Sequence, residues 1–123
     1  MIVFFDIDGT LWDYRGNIPE STVTAIRLLK EKGNTPVLCT GRGKGHVRDK
    51  RLLDMGFSGM VAACGAYVEY GNKVVFEKTL SDELVRKIID MAGKCNLPFV
   101  FEDMKIVLFA PSPTTVKSNE SDK

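Results

Sequence analysis

The chain has 123 residues, of which 44% are hydrophobic and 27% charged, as in an average globular domain. Seventeen Lys and Arg against sixteen Asp and Glu leave a net charge of +1, which argues against nucleic acid or a membrane surface as the main partner. No apolar run approaches the ~20 residues of a membrane span. Three cysteines without a CxxC pair favour reduced thiols over a disulfide framework or a zinc site. Composition therefore predicts one cytoplasmic domain.

Strand and helix patterns alternate in the first half of the chain. Residues 2–5 (IVFF) are a continuous apolar run, which predicts a strand buried on both faces. Between Pro19 and Gly33, apolar side chains follow one helical face, which predicts a helix over 19–32. The next three predicted elements are a strand, a basic helix and a strand, at residues 35–39, 46–55 and 59–63. This βαβαβ order with short loops predicts a parallel sheet.

A different pattern follows residue 65. Segments 66–70 and 73–77 flank Gly71-Asn72, a two-residue signal for a β-hairpin. A helix is predicted from about residue 81 to residue 95, with Ser81 as its N-cap. Two apolar segments around Glu102-Asp103-Met104 predict a second hairpin.

Asp6 and Asp8 stand where the first predicted strand breaks into a glycine loop. In open α/β sheets, ligands bind at the carboxyl ends of the strands. Two carboxylates one residue apart repel each other and need a cation or a shared proton. They are therefore candidates for metal binding and acid/base chemistry. For Asp8 alone, the capping of a turn is the alternative role.

These residues carry a resemblance to a known family. Residues 3–12 (VFFDIDGTLW) resemble motif I, hhhhDxDGT, of the haloacid dehalogenase-like (HAD) phosphohydrolases. Residues 18–80 resemble the Cof-type members, with Thr40-Gly41-Arg42 in the place of motif II. The resemblance implies an α/β fold, a Rossmann-like parallel sheet that is part of a HAD core, followed by the start of an α+β type II cap. The implied division is a partial core, the first αββ unit of a cap and a disordered tail, at residues 1–80, 81–110 and 111–123.

The family chemistry implied for this chain is hydrolysis of a small phosphorylated metabolite through an aspartyl-phosphate. Asp6 would be the nucleophile and Asp8 the general acid and then base. Mg²⁺ would be the cofactor, bound by an Asp6 oxygen and the Asp8 carbonyl. The residues implied in phosphate binding are Gly9, Thr40, Gly41 and Arg42. For Arg42, a structural role is an equal alternative.

The chain also departs from the family pattern. Cys64 stands where Cof-type proteins usually have Asn, and a thiol makes weaker hydrogen bonds than an amide. The motif III lysine and the GDxxND-like stretch of motif IV have no counterpart in the 123 residues. A catalytically inactive remnant that only binds is therefore the alternative function. A receiver-type phosphoacceptor domain is disfavoured, because the third predicted strand ends in Ala63-Cys64-Gly65 without an aspartate.

Three further expectations follow from the residues and the resemblance. Residues 42–51 carry five basic side chains and one acid, which is more typical of a solvated helix face than of an anion-attracting patch, and His46 is expected to be exposed. Trp12 and Tyr14 lie in the loop that the family uses as a flap, and anchoring of that loop is their alternative role. The family places its first strand between two others. Residues 2–5 would lack one neighbour here, which predicts a homo-oligomer, an element-swapped dimer or a complementing fragment.

Overall fold

The computed structural model describes residues 1–102 and 107–110. The strands are β1 (Ile2–Phe5), β2 (Thr35–Cys39), β3 (Gly59–Ala62), β4 (Tyr67–Tyr70), β5 (Lys73–Glu77), β6 (Phe99–Glu102) and β7 (Val107–Ala110). The α-helices are α1 (Glu20–Glu31), α2 (Lys50–Leu53) and α3 (Asp82–Lys94). Single 3₁₀ turns lie at Lys44–His46 and Ala63–Gly65. No helix in these described ranges is long and apolar enough to cross a membrane.

Five strands form one mixed sheet in the order β1-β2-β3-β4-β5. β1, β2 and β3 run parallel, as the alternation of strands and helices predicts. The β4–β5 hairpin continues this sheet in the antiparallel sense. Its turn residues Gly71 (φ 54°) and Asn72 (φ 63°) both have the left-handed backbone of a type I′ turn. The parallel strands and the first hairpin are therefore confirmed.

The core of the molecule is a cluster of apolar side chains between the sheet and the segments that cross over it. α1 packs against β2, and its Ile26 is 1% exposed. The other buried members of the cluster are Ile7, Leu11, Leu38, Val47, Leu52, Met60, Ala62 and Tyr67. Because Ile7 and Leu11 belong to the loop after β1, the same core anchors the loop that carries the acidic pair.

The expectation that residues 2–5 are buried on both faces is wrong. Ile2 is 56% and Phe4 58% exposed, whereas Val3 and Phe5 are partly buried. The physical reason is the position of β1, which lies at the edge of the sheet and, among the described strands, pairs with β2 alone. Within the part of the chain that the structure describes, β1 is therefore an edge strand.

The helix predicted over residues 46–55 is also wrong in its extent. The structure has a 3₁₀ turn at Lys44–His46 and a single α-helical turn, α2. The Asp49 side chain accepts a hydrogen bond from the Arg51 amide at 2.9 Å, so it caps a helix that begins only at residue 50. Gly56, with φ 74°, follows the end of this short helix and has the left-handed backbone that favours glycine there.

The second hairpin and the helix before it occur as predicted. Ser81 is the N-cap of α3 and accepts a hydrogen bond from the Leu84 amide at 3.3 Å. β6 and β7 form a separate antiparallel two-stranded sheet. No residue of α3 is buried. The predicted tail, 111–123, lies outside the described residues, and the proposed domain boundaries stay a prediction.

Candidate active site

The acidic pair lies in a tight turn at the carboxyl end of β1. Ile7 between the two acids is fully buried, and its carbonyl accepts the Leu11 amide at 3.0 Å. Asp6 and Asp8 are both exposed. Gly9 has φ 74°, and its N–H donates to the Trp12 carbonyl at 3.1 Å. A buried anchor therefore holds two solvent-facing carboxylates at the strand end, as the sequence predicts.

Asp8 makes a bidentate contact with Arg42. The Arg42 Nε donates to one carboxylate oxygen and Nη2 to the other, both at 2.7 Å. Trp12 donates its Nε1–H to Asp8 at 3.0 Å, and the Arg42 guanidinium carbon lies 5.0 Å from the centroid of the Trp12 ring. Planar guanidinium groups suit both the paired carboxylate and the aromatic face. The loops after β1 and β2 are thereby joined through three side chains.

This contact changes the acidity of Asp8. The hydrogen bonds from Arg42, and then from Trp12, lower the pKa of Asp8 to about 2. Asp8 in turn raises the pKa of Arg42. Asp8 is therefore a carboxylate at neutral pH, which is the form of a general base. To donate a proton as a general acid, it must first leave the guanidinium and take up a proton.

Thr40, Gly41 and Arg42 follow β2 and lie beside the turn after β3. Thr40 is 5% exposed, and its amide donates to the Val61 carbonyl at 2.9 Å. Its Oγ1 accepts the Arg42 amide at 3.2 Å, which leaves the hydroxyl proton to donate. Gly41 is exposed, and a Cβ there would lie 3.5 Å from the Cys64 sulfur. Of the candidate phosphate contacts, Thr40, Gly41 and Arg42 are consecutive in this loop. The contact of Arg42 with Asp8 joins the loop to the turn that contains Gly9.

The departure at Cys64 falls on an unusual backbone conformation. Cys64 has φ 53° and ψ 32°, and Ala63 before it has φ 50°. This left-handed region favours Gly and Asn over other residues. The Asn that Cof-type proteins usually carry at this position would suit the observed backbone better than the thiol does.

The loop after β2 also makes polar contacts with Glu69 that the sequence does not predict. Lys44 forms an ion pair with Glu69, and the Tyr67 hydroxyl donates to the same carboxylate at 2.7 Å. Burial, and then Glu69, raise the pKa of Tyr67 to about 12. Burial raises the pKa of Glu69, but hydrogen bonds from Lys44 and Tyr67 outweigh it and leave that pKa lowered. No local pattern signals these contacts, because their partners lie on different elements.

The basic segment 42–51 is not simply a solvated helix face. Arg42 and Lys44 make the ion pairs described above, and Arg51 pairs with Asp49 at 2.6 Å. His46 is exposed, as expected, but lies in a 3₁₀ turn and contacts Glu102. Trp12 packs at the site, whereas Tyr14 in the same loop is fully exposed.

The acidic pair offers the one or two carboxylate ligands with which proteins commonly bind Mg²⁺. In the part of the chain that the structure describes, no three His, Cys, Asp or Glu side chains converge as a metal site. Mg²⁺ is commonly held by one or two carboxylates, together with water and substrate phosphate. Asp6 exposes one such carboxylate, while Arg42 holds that of Asp8. Asp6 and the Asp8 carbonyl are therefore the residues that would hold Mg²⁺.

Comparisons with known proteins agree on one family. The model of the haloacid dehalogenase-like hydrolases matches residues 3–123. The chain is 31% identical over 100 residues to the Bacillus subtilis protein named "Putative phosphatase YkrA", covering 81% of this chain and 38% of that protein. Among solved structures, a hypothetical protein from Geobacillus kaustophilus is 31% identical with a TM-score of 0.78. The HAD subclass IIB sugar phosphatase BT4131 is 28% identical with a TM-score of 0.79. These two alignments cover 97% and 98% of this chain but 48% of each structure, so the chain spans less than half the length of these relatives.

Proposed function

The chain belongs to the haloacid dehalogenase-like hydrolases, and we propose on this premise that it carries the nucleophile and acid/base part of a phosphatase site for small phosphate monoesters. Asp6 is the proposed nucleophile and Asp8 the proposed acid and base. Thr40, Gly41, Gly9 and Arg42 are the proposed phosphate contacts. The similarity to a sugar phosphatase makes a sugar phosphate the first natural substrate to test. The free thiols Cys39, Cys64 and Cys95 suit the reducing cytoplasm, which is the proposed location.

In the first proposed step, an Asp6 oxygen attacks phosphorus. A bond forms between Asp6 and phosphorus, the bond to the ester oxygen breaks, and that oxygen takes a proton from Asp8. In the second step, water loses a proton to the Asp8 carboxylate and attacks the same phosphorus. This releases phosphate and restores Asp6. Mg²⁺, when bound, supplies positive charge that offsets the charge of the phosphate and orients the Asp6 carboxylate.

The observation that carries this proposal is the bidentate contact between Asp8 and Arg42. It joins the two segments that resemble motifs I and II, 34 residues apart in the chain. It also holds Asp8 in the form that the second step needs. For the first step, the phosphate of a substrate must draw the guanidinium from Asp8, since a phosphate is as good a bidentate partner for Arg as a carboxylate. Asp8 must then take up a proton from water, which the second step returns to it. Arg42 then contacts substrate and Asp8 in turn.

The test is a Mg²⁺-dependent assay with p-nitrophenyl phosphate on the whole 123-residue chain. Asp6→Asn is expected to lower the rate by about 10³-fold or more, because it removes the nucleophile. Asp90→Asn, on the exposed face of α3, is the matched carboxylate control and is expected to leave the rate unchanged. A phosphoryl group trapped on Asp6 and found by mass spectrometry would support the intermediate. A wild-type chain with no turnover at any Mg²⁺ concentration would instead support the binding-only remnant.

A further inference from the structure

Glu102, at the end of β6, contacts the loop that carries Arg42. One carboxylate oxygen accepts the Gly43 amide at 2.5 Å, and the other lies 2.7 Å from the His46 Nδ1. The contact joins residues that are 59 and 56 positions apart in the chain. Both carboxylate oxygens of Glu102 are therefore used in holding this turn, although its side chain is only partly buried.

The contact depends on the absence of a side chain at Gly43. Its backbone, with φ −63° and ψ 153°, is one that any residue adopts, so conformation does not require glycine here. The limited space beside Glu102 does favour glycine, because a Cβ on Gly43 would lie 2.5 Å from the Glu102 Oε2 and 2.8 Å from the Glu102 Cβ. The absence of a side chain at position 43 is what lets Glu102 approach the amide.

The turn that Glu102 holds is linked to Asp8 through Arg42. Gly43 follows Arg42, whose carbonyl accepts the Ala63 amide at 2.8 Å. The backbone around Arg42 is thus held by the turn after β3 on one side and by Glu102 on the other. Asp8, Glu102 and Asp6 each raise the pKa of the Arg42 guanidinium.

We propose that Glu102 is a positioning residue, which holds Gly43 and His46 so that the Arg42 guanidinium lies on Asp8. The placement of the β6–β7 hairpin and the contact between Arg42 and Asp8 are then coupled. The catalytic meaning of this coupling rests on the proposed function, but the coupling itself does not. Without the Glu102 carboxylate, the turn is less constrained and Arg42 leaves Asp8 more often.

The direct measurement is the Arg42 Nε–H signal in nuclear magnetic resonance spectra of the whole chain. Glu102→Ala and Gly43→Ala are expected to speed exchange of this proton with solvent about fivefold or more, because both remove the carboxylate from the turn. Glu102→Gln is expected to lie near the wild type, since its amide oxygen still accepts from Gly43. Glu83→Ala, which removes an exposed acid of α3, is the matched control and is expected to have no effect.

Two outcomes would overturn the proposal. In the first, Glu102→Ala shifts the Gly43 amide signal but leaves the Arg42 exchange rate unchanged, so that Glu102 only docks the hairpin. In the second, Glu102→Gln is as disruptive as Glu102→Ala, which would show no rescue by the conservative change. The remaining amide signals report whether each variant is folded, and Glu102→Ala gives the answer if Gly43→Ala fails to fold. Since no turnover is measured, this proposal and the proposed function can fail separately.

Discussion

The sheet β1–β5 and the α3–β6–β7 segment are stabilised in different ways. The first has a buried apolar cluster, with Ile7 and Leu52 fully inaccessible. In the second, no residue of α3 is buried, and the described polar contacts of this helix are local. These are the Ser81 cap and the exposed ion pairs of Lys87 with Glu83 and Lys94 with Asp90. Exposed pairs of this kind contribute little, about 0.3–0.5 kcal/mol each.

The proposed catalytic residues and the proposed positioning residue Glu102 lie in different regions. Asp6, Asp8, Thr40 and Arg42 all belong to the region with its own core, where the turn of the acidic pair is anchored by buried Ile7. The lightly packed region reaches the site through Glu102. Weakly packed segments open at lower free energy than cores do, so they can move while the acidic pair stays in place.

The largest expected effect tests the core directly. Leu52 is fully buried, so Leu52→Ala is expected to lower the free energy of unfolding by about 2–5 kcal/mol. Ile89 of α3 is 44% exposed, and Ile89→Ala is the matched deletion, with an expected loss below about 1 kcal/mol. Urea unfolding followed by Trp12 fluorescence measures both. Equal losses would contradict the contrast between the two regions.

The exposed edge of the first region predicts self-association, which we propose for the isolated chain. Phe4 of the unpaired β1 edge is 58% exposed, and Phe4→Lys is expected to weaken association about tenfold, since a charge blunts an edge strand. Tyr14→Lys, in a fully exposed loop, is the control. Light scattering at tens of micromolar chain is the measurement. A wild-type chain that is a stable monomer there would disprove the association.

A smaller effect concerns the pH dependence of stability. The pKa of Asp8 is lowered from 3.8 to about 2, so the contact with Arg42 stabilises the fold fully above pH 3.8 and is lost as the pH falls through 2. Because the Asp8 side chain is 52% exposed, solvent limits the contribution to about 1 kcal/mol or less. Arg42→Gln is expected to lose this stability at neutral pH. Its free energy of unfolding, measured with urea, should therefore fall less than that of the wild type as the pH is lowered. Asp8→Asn should reduce the pH dependence at least as much, because it also removes the contribution of the hydrogen bond from Trp12. An unchanged pH dependence in Arg42→Gln would argue against the pair.

The last expected effect is confined to the second region. Ser81→Ala removes the N-cap of α3 and is expected to destabilise that helix by about 1 kcal/mol, or roughly fivefold faster amide exchange. Ser21→Ala, in the first turn of α1, is the control, since the N-cap of that helix makes no side-chain hydrogen bond. Exchange in α1 should stay unchanged in both variants. Slowed or accelerated exchange throughout the chain would show that α3 and the core unfold together.

Much of the fold could be predicted because its signals are local. An apolar run predicts β1, Pro19 and Gly33 bracket α1, and Gly71-Asn72 predicts the first hairpin. The one helix predicted wrongly, over residues 46–55, has a competing local signal in the Asp49 cap, which the basic pattern around it obscured. The exposure of Ile2 and Phe4 could not be predicted from the run itself, because burial depends on which strands and helices flank β1.

By itself, the sequence determined the family, the order of most strands and helices, and the acidic pair at a strand end. The motifs and turn residues that predict these features are short runs of neighbouring residues, and each determines the backbone conformation of its own segment. Only the tertiary structure decided that Arg42 holds Asp8, that Glu69 holds Lys44, and that Glu102 holds Gly43. These contacts join residues 25 to 59 positions apart, and their existence depends on how crossovers and hairpins place one loop beside another. The state of the candidate acid/base residue is therefore a property of the fold and not of its motif.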